Sequence, residues 1–402
     1  MTEDAVQSTV ENVFSSDFVF RSPRREKGKE ATDVLVLFDD VGLVIQVKAR
    51  AISFPKENNT DNSLDWAAKY LEKAVRQVCG AIRAIKTNRV QYVENTRRGR
   101  IAFKKEEFPW LYGLVILHHS SESYDPTELV PAIREADVPI HILSFRDLWN
   151  LNNYLDTPVD IINYLEHRTD VLVPTLNPKV HEEQEAFTYY LGHLENIMAF
   201  RAKARGLTFT AEDFKSYAQE LRDIITGKHP RPEAGLIIDK IIERIHDVDP
   251  SLGAINEKGQ IIPQCNKGEY AKIATELGKI PRVRRIAIGR LYLKLAKHAA
   301  DSGKTCYRTI RSPKRSDCML LVASPLPQGE RKKRAEDLVA YTRLAKRYYQ
   351  VYRAIGIATE PAGQMGSSFD LVLFKSPPVF DKSAQKLGRE IFGDDTGRLI
   401  EP

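Results

Sequence analysis

The chain has 402 residues, 42% of them hydrophobic and 28% charged, enough to bury substantial cores and to form two domains. No apolar run approaches the length of a membrane span, and Met1-Thr-Glu-Asp-Ala-Val lacks the basic and apolar regions of a secretory signal, so a soluble cytoplasmic protein with no membrane partner is expected. The cysteines Cys79, Cys265, Cys306 and Cys318 show no CxxC spacing, which argues against a zinc site or a disulfide framework, and the net charge of +6 is modest.

Glu3 to Phe14 reads as a short helix with Val6, Val10 and Val13/Phe14 on one face. Asp17 to Pro23 reads as a first strand, followed by the polar loop Arg24-Arg-Glu-Lys-Gly-Lys29, whose cations suit either a phosphate backbone or plain solvent. Two apolar, β-branched runs, Val34 to Phe38 and Leu43 to Ala49, then flank Asp39-Asp40-Val41-Gly42 and predict a β-hairpin. A turn centred on Asp40/Val41 sets Asp33 opposite Lys48. Side chains alternate with period two, so Gln46 and Lys48 share the face to which Asp33 points. On a solvated sheet an Asp/Lys pair is commonplace and contributes under ~1 kcal/mol. Here both strands are apolar enough for burial on both faces, where isolated charges are costly and usually functional.

That convergence has a chemical use. Asp33 can hold Mg²⁺, the Gln46 carbonyl oxygen can add a weaker ligand, and Lys48 can orient a water and offset charge developing at phosphorus. Thr32-Asp33 followed by Gln46-Val47-Lys48 resembles the PD-(D/E)xK nuclease superfamily, whose signature is an acid at the start of one strand and (E/D/Q)-x-K on the next. Thr32 replaces the usual proline, and Gln46 replaces a carboxylate, a variant that branches resembling modified-DNA restriction enzymes accept. The lead-in Gly28-x-Glu30-x-x-Asp33 also resembles bacterial restriction- or defence-type nucleases, and Glu30 could supply the acid that Gln46 does not. The resemblance implies an α/β, restriction-endonuclease-like fold with a central mixed sheet flanked by helices. It implies Mg²⁺ or Mn²⁺ as cofactor and a glutamate from the first helix in the metal site, for which Glu11 and Glu3 are both candidates.

After a turn cluster at 58–63, Leu64 to Lys86 reads as a long amphipathic helix. Lys69, Lys73, Arg76, Arg83 and Lys86 lie mostly off its apolar stripe, and Gln77 is either a polar-face residue or a substrate contact. Arg97-Arg98-Gly-Arg100 with Lys104-Lys105 forms a basic loop suited to backbone phosphates. Strands are expected at Trp110 to His118 and Pro139 to Phe145, with a helix at 126–135 between them, giving about five strands. His118 and His119 lack a third ligand nearby for a metal role. Asp147 to Arg168 reads as a helix interrupted at Pro158, closing a nuclease-like domain over 1–170.

Turn chemistry at 174–178 marks a linker to a second domain over 180–402, helical over 180–300 and α/β over 301–380. Helices are expected over 181–206, from the capping-box-like 210–213 to about 227, over 235–246 and 269–277, and over Val283 to Ala300, beside Arg282, Arg284, Arg285 and Arg290. Strands are expected at 306–310, 318–323, 355–359 and 369–374, around a helix from Arg331 to Arg353. Tyr341, Tyr348, Tyr349 and Tyr352 on that helix suit packing or base stacking. Divided near Asp170, the chain carries about −4 in its first part and about +10 in the remainder, an asymmetry compatible with a nucleic-acid-facing surface. Ser302-Gly-Lys-Thr305 lacks the upstream glycine of a phosphate-binding loop.

The expectation is a metal-dependent endonuclease acting on double-stranded DNA, with a bacterial defence or restriction role following from the resemblance. Two alternatives stay open. One is a catalytically degenerate fold that only binds nucleic acid, and the other is an effector switched on by a ligand or protein partner at the C-terminal domain. Cutting both strands often calls for two active sites, so a homodimer is a reasonable assembly.

Overall fold

A computed structural model of the chain describes residues 3–25, 28–49, 63–118, 138–172, 183–194, 219, 222–223, 225, 233–245, 252–263, 266–311, 317–325, 330–360 and 368–393. The chain forms two compact units, Met1–His193 and Leu194–Pro402. The expected helix at 126–135, the turn at 58–62, the linker at 174–178 and the capping motif at 210–213 lie outside the described residues.

The first unit begins with α1 (Glu3–Phe14), which buries Val6, Val10, Val13 and Phe14 as its spacing requires. In chain order there follow β1 (Val19–Arg21), β2 (Val34–Phe38), β3 (Val41–Ala49), α2 (Ser63–Lys86), β4 (Tyr92–Asn95), β5 (Gly99–Ala102), β6 (Trp110–His118) and β7 (Ile140–Ser144). Five strands make one mixed sheet in the order β1-β2-β3-β6-β7. The first three are antiparallel, and β6 and β7 run parallel to β3, with α2 as the crossover that a parallel pair requires. Leu71, Ala74, Val75, Val78, Ile82 and Ile85 of α2 pack on Leu35, Leu37, Val44 and Val115. Elsewhere Phe14 and Phe18 meet Phe38 edge-on.

The hairpin register differs from expectation by one residue of turn. Phe38 pairs with Val41 and Val34 with Ile45, so the turn is Asp39-Asp40 alone. Asp39 takes φ +55°, a left-handed conformation that a short polar side chain tolerates, and Val41 and Gly42 are thereby free to join the strand. Every cross-strand partner moves accordingly, and Asp33 comes to face Gln46 rather than Lys48.

Beyond β7, α3 (Phe145–Tyr154) opens with a full capping box in which Ser144 Oγ accepts from Asp147 N at 3.0 Å. Its Asn152 side chain donates to the Thr9 carbonyl of α1 at 2.7 Å. Pro158 starts α4 (Pro158–Leu172) rather than interrupting a helix, with Thr157 capping Asp160 N at 3.3 Å, because proline at the first helical position loses no hydrogen bond. Helix α5 (Glu183–Gly192), which the linker assigns to the second domain, packs on α4: Arg168 Nη2 donates to Glu183 Oε2 at 2.8 Å, and Tyr164 Oη also donates to Glu183.

The second unit contains α6 (Leu236–Arg244), β8 (Leu252–Ile255), α7 (Lys267–Gly278), α8 (Arg282–Ser302), β9 (Cys306–Arg311), β10 (Asp317–Ala323), α9 (Arg331–Tyr349), β11 (Arg353–Thr359), β12 (Phe369–Lys375) and α10 (Lys382–Phe392). Its sheet runs β8-β12-β11-β10-β9, with β10/β11 and β12/β8 parallel and the other pairs antiparallel. Helix α9 lays Ala335, Leu338, Val339 and Ala345 on Leu320, Val322, Ala354 and Val372. It ends at Tyr349, earlier than expected, because Gln350 caps it at φ +52°. A Cβ on Gly356 would collide with Thr342 of α9, so the close helix-strand approach needs glycine there. Of the arginines beside α8, Arg282 and Arg285 are buried and both pair with Asp239, while Arg290 is exposed. The tyrosines of α9 pack against Tyr307 and Phe392 rather than forming a free stacking ladder. Among the described residues no helix is long and apolar enough to cross a membrane.

Candidate active site

The end of the first sheet where β2 begins and β3 finishes carries the polar cluster. Thr32 is buried and donates its hydroxyl to the Ile45 carbonyl at 2.6 Å, tying the residue before Asp33 to the facing strand. Asp33 is half-buried. Its Oδ2 accepts from the Val47 amide at 2.7 Å and from Gln46 Nε2, so two groups of the facing strand β3 hold the carboxylate in place. Gln46 is only 4% exposed, and its amide nitrogen faces Asp33, which leaves its carbonyl oxygen for another partner. Lys48, half-buried two residues on, donates from Nζ to the Val47 carbonyl at 3.1 Å.

The cluster shares one electrostatic field. Burial holds the Lys48 ammonium below the ordinary lysine range; Asp33 opposes that shift, Lys73 of α2 adds to it, and Glu3 opposes it. The Glu3 carboxyl is held above its ordinary range by burial first and then by Asp33 and Glu30, against the lowering effect of Arg21 and Lys48. Helix α1 therefore presents Glu3, and not Glu11, to the hairpin. Glu11 lies about 12 Å further along the helix axis and accepts instead from Gln7 Nε2 at 2.7 Å. Glu30 is exposed on the loop just before Asp33.

Among the described residues no three His, Cys, Asp or Glu side chains stand together as a ready-made metal group. The donors present are nonetheless of the kind Mg²⁺ takes, since Asp33, Glu3, Glu30 and the Gln46 carbonyl all offer oxygen. They fit a hard cation that keeps several of its waters better than a dedicated protein cage.

The Arg97 to Lys105 segment is the turn and second strand of the β4-β5 hairpin, followed at Lys105 by a single 3-10 turn, and its cations have partners inside the protein. Arg97 faces the buried carboxylate of Asp17 at 3.7 Å, and Arg100 pairs with Glu94 at 3.2 Å while lying 4.2 Å over the Tyr92 ring. Lys104 pairs with Glu107 at 3.5 Å, and Lys105 Nζ donates to the Lys86 carbonyl at 3.1 Å. Burial lowers the Arg98 guanidinium, against Asp17 and Glu107, and its backbone amide is capped by Asn95 Oδ1 at 2.7 Å. Asn95 also donates to the carbonyls of Ser16, Asp17 and Val19, so this hairpin braces the start of β1. Gln77 is exposed on α2. His118 lies edge-on to Phe145, a packing role.

Compared with protein-family models, with curated proteins and with solved structures, the chain matches none. The functional reading therefore rests on the hairpin and its neighbours. Sequence spacing names Asp33, Gln46 and Lys48, whereas Lys73 stands out only once α2 is folded over the strand ends.

Proposed function

We propose that the chain is a metal-dependent endonuclease, most simply one that cuts DNA, with its first unit a restriction-endonuclease-like fold of the PD-(D/E)xK type and its active site at the β2-β3 hairpin. The observation that carries this is the cluster of half-buried Asp33 and Lys48 with buried Gln46 at the strand ends, where burial first of all raises the Glu3 carboxyl and lowers the Lys48 ammonium. Asp33, Glu3 and the Gln46 carbonyl would hold Mg²⁺ or Mn²⁺, with Glu30 beside them, and the bound ion would supply Lewis-acid activation of the scissile phosphate and of a water. Lys48 supplies a cation to the charge that builds on phosphorus and orients the attacking water. The Val47 amide fixes Asp33, so the carboxylate needs little reorganisation when substrate arrives. The QxK pattern and the Gly28-x-Glu30-x-x-Asp33 lead-in favour a restriction or defence setting.

One observation favours a second reading, a fold that binds nucleic acid without cutting it: Asp33 Oδ2 is already engaged by Gln46 and Val47, which weakens its call on a cation. Nicking of supercoiled plasmid by purified protein in Mg²⁺ or Mn²⁺, beside Asp33→Ala and Lys48→Ala, separates the two. Cleavage lost in both variants supports the endonuclease, and cleavage surviving both removes it. Salt-sensitive binding without cleavage by the wild type supports the binding module.

A further inference from the structure

Resting on the hairpin being a phosphodiester site, we propose that the nucleic-acid backbone reaches it along a cationic track formed by Arg24 and Lys29 on the β1-β2 loop and Lys69 and Lys73 on α2. The β4-β5 hairpin, with its denser run of arginines, is not part of that track.

Placement is the first ground. Arg24 and Lys29 sit just before the Asp33 edge, where backbone bonds run from Arg25 N to Lys29 O and from Ala31 N to Pro23 O, both 2.7 Å, and Gly28 takes φ +75°. Arg24 and Lys29 are both exposed beside these bonds. On α2, Leu71, Ala74 and Val78 are buried, so Lys69 and Lys73, one turn apart, share an exposed face. Lys73 is near enough to Lys48 for its charge to be felt there, which puts this face at the site end of the sheet.

Pairing is the second ground. Arg24, Lys29, Lys69 and Lys73 form no ion pair among the described residues. Each can meet a phosphate without giving up a carboxylate, whereas Arg97, Arg100 and Lys104 would have to leave Asp17, Glu94 and Glu107. Charge balance is the third. Glu3, Glu30 and Asp33 make the site itself repel a polyanion, and cations on both flanks offset that repulsion.

The test is duplex-DNA binding by the full chain in EDTA, where affinity is read without cleavage, across a salt series, together with plasmid nicking in Mg²⁺. The double variant Lys29→Gln/Lys73→Gln should lose at least ten-fold in affinity at low salt, and its plot of log affinity against log salt should flatten by about 1.8, two phosphate contacts' worth. Arg100→Gln/Lys104→Gln should stay within about two-fold of the wild type, since those cations are not spent on DNA. An unchanged slope in the first pair, an equal loss in the second, or no duplex binding by the wild type overturns the track. Nicking that persists undiminished while Lys29 and Lys73 prove irrelevant removes the track and keeps the nuclease. Binding that follows Lys29 and Lys73 in a protein that cuts nothing does the reverse.

Discussion

The two units share a passage. In each, a hairpin, a crossover helix and a strand parallel to the hairpin's second arm supply three neighbouring strands of a five-stranded sheet: β2-β3-α2-β6 at the middle of the first, β9-β10-α9-β11 from the edge inward in the second. Each also gathers charged side chains at strand ends. In the second unit Arg334 and Asp370 are 0% exposed and Glu360 4%. Asp370 accepts from Arg331 Nε and Arg334 Nε, both at 2.6 Å, Arg334 stands 3.4 Å from Glu360, and Ser368 donates to Glu360 at 2.7 Å. Two cations meet two anions, and Arg334, Asp370 and Glu360 are all buried. The first unit's cluster is half open, its acids crowd one another, and its lysine is held uncomfortably. Mutual neutralisation makes the second cluster cohesive, whereas the first carries an unresolved electrostatic cost, the trait on which its proposal as an active site rests.

Breaking each cluster should have opposite consequences. The largest effect is expected from Lys48→Ala or Asp33→Ala, which should lower plasmid nicking at least ~100-fold with the circular dichroism spectrum unchanged. Arg334→Met should leave nicking chemistry intact at low temperature but strip Glu360 of its arginine and leave Asp370 with Arg331 alone. Urea unfolding should show that unit weakened by about 3–5 kcal/mol. A third experiment asks whether burial alone makes a charge costly. His141, fully buried on β7 with Arg168 Nη1 3.1 Å from its Nδ1, is held well below the ordinary histidine range by burial and then by Arg168. The folded chain keeps it neutral while the unfolded chain takes up a proton, so the first unit should lose about 1.4 kcal/mol for each pH unit below about 6.5. His141→Gln should remove that acid-side slope in thermal melts. The smallest effect belongs to the site itself. Lys48→Met and Glu3→Gln should each raise the melting temperature by about 2 °C while costing cleavage. The gain from Lys48→Met should fade as pH rises from the folded lysine's lowered value toward its ordinary one, because the charged form is what the fold disfavours. The gain from Glu3→Gln should fade as pH falls, since protonating Glu3 removes the same kind of penalty.

Much of the first sheet is readable in the chain because its strands are β-branched runs and its helices keep a 3.6-residue stripe. The hairpin's existence follows from Val34–Phe38 and Leu43–Ala49, but its register hung on one dihedral at Asp39, which composition does not encode. The β4-β5 hairpin turns at Gly99, whose φ of +68° a lone glycine among arginines does not announce in the sequence. Strand β8 is four residues long with Gly253 inside, too short and too weakly patterned to announce itself; it is a strand because β12 offers it an edge. The choice between Glu3 and Glu11 depends on which end of α1 lies over the strand ends, a tertiary fact. Helix α5 joins the first unit through the Arg168-Glu183 pair, which local sequence does not reveal.

Strand β8 also sets an order of events. Its partner across the ladder is remote in the chain, Leu252 pairing with Phe369, whereas the first sheet is assembled from strands that end with Ser144. During synthesis the first sheet has all its strands long before the second has its central ones. Leu252–Ile255, locally bridged only at Ile255 to Ile261, must wait for its ladder partner through more than a hundred further residues, and closing that loop is an entropic toll that neighbouring strands avoid. The amino-terminal unit can mature as it emerges from the ribosome, while the carboxy-terminal sheet becomes whole only when β12 arrives.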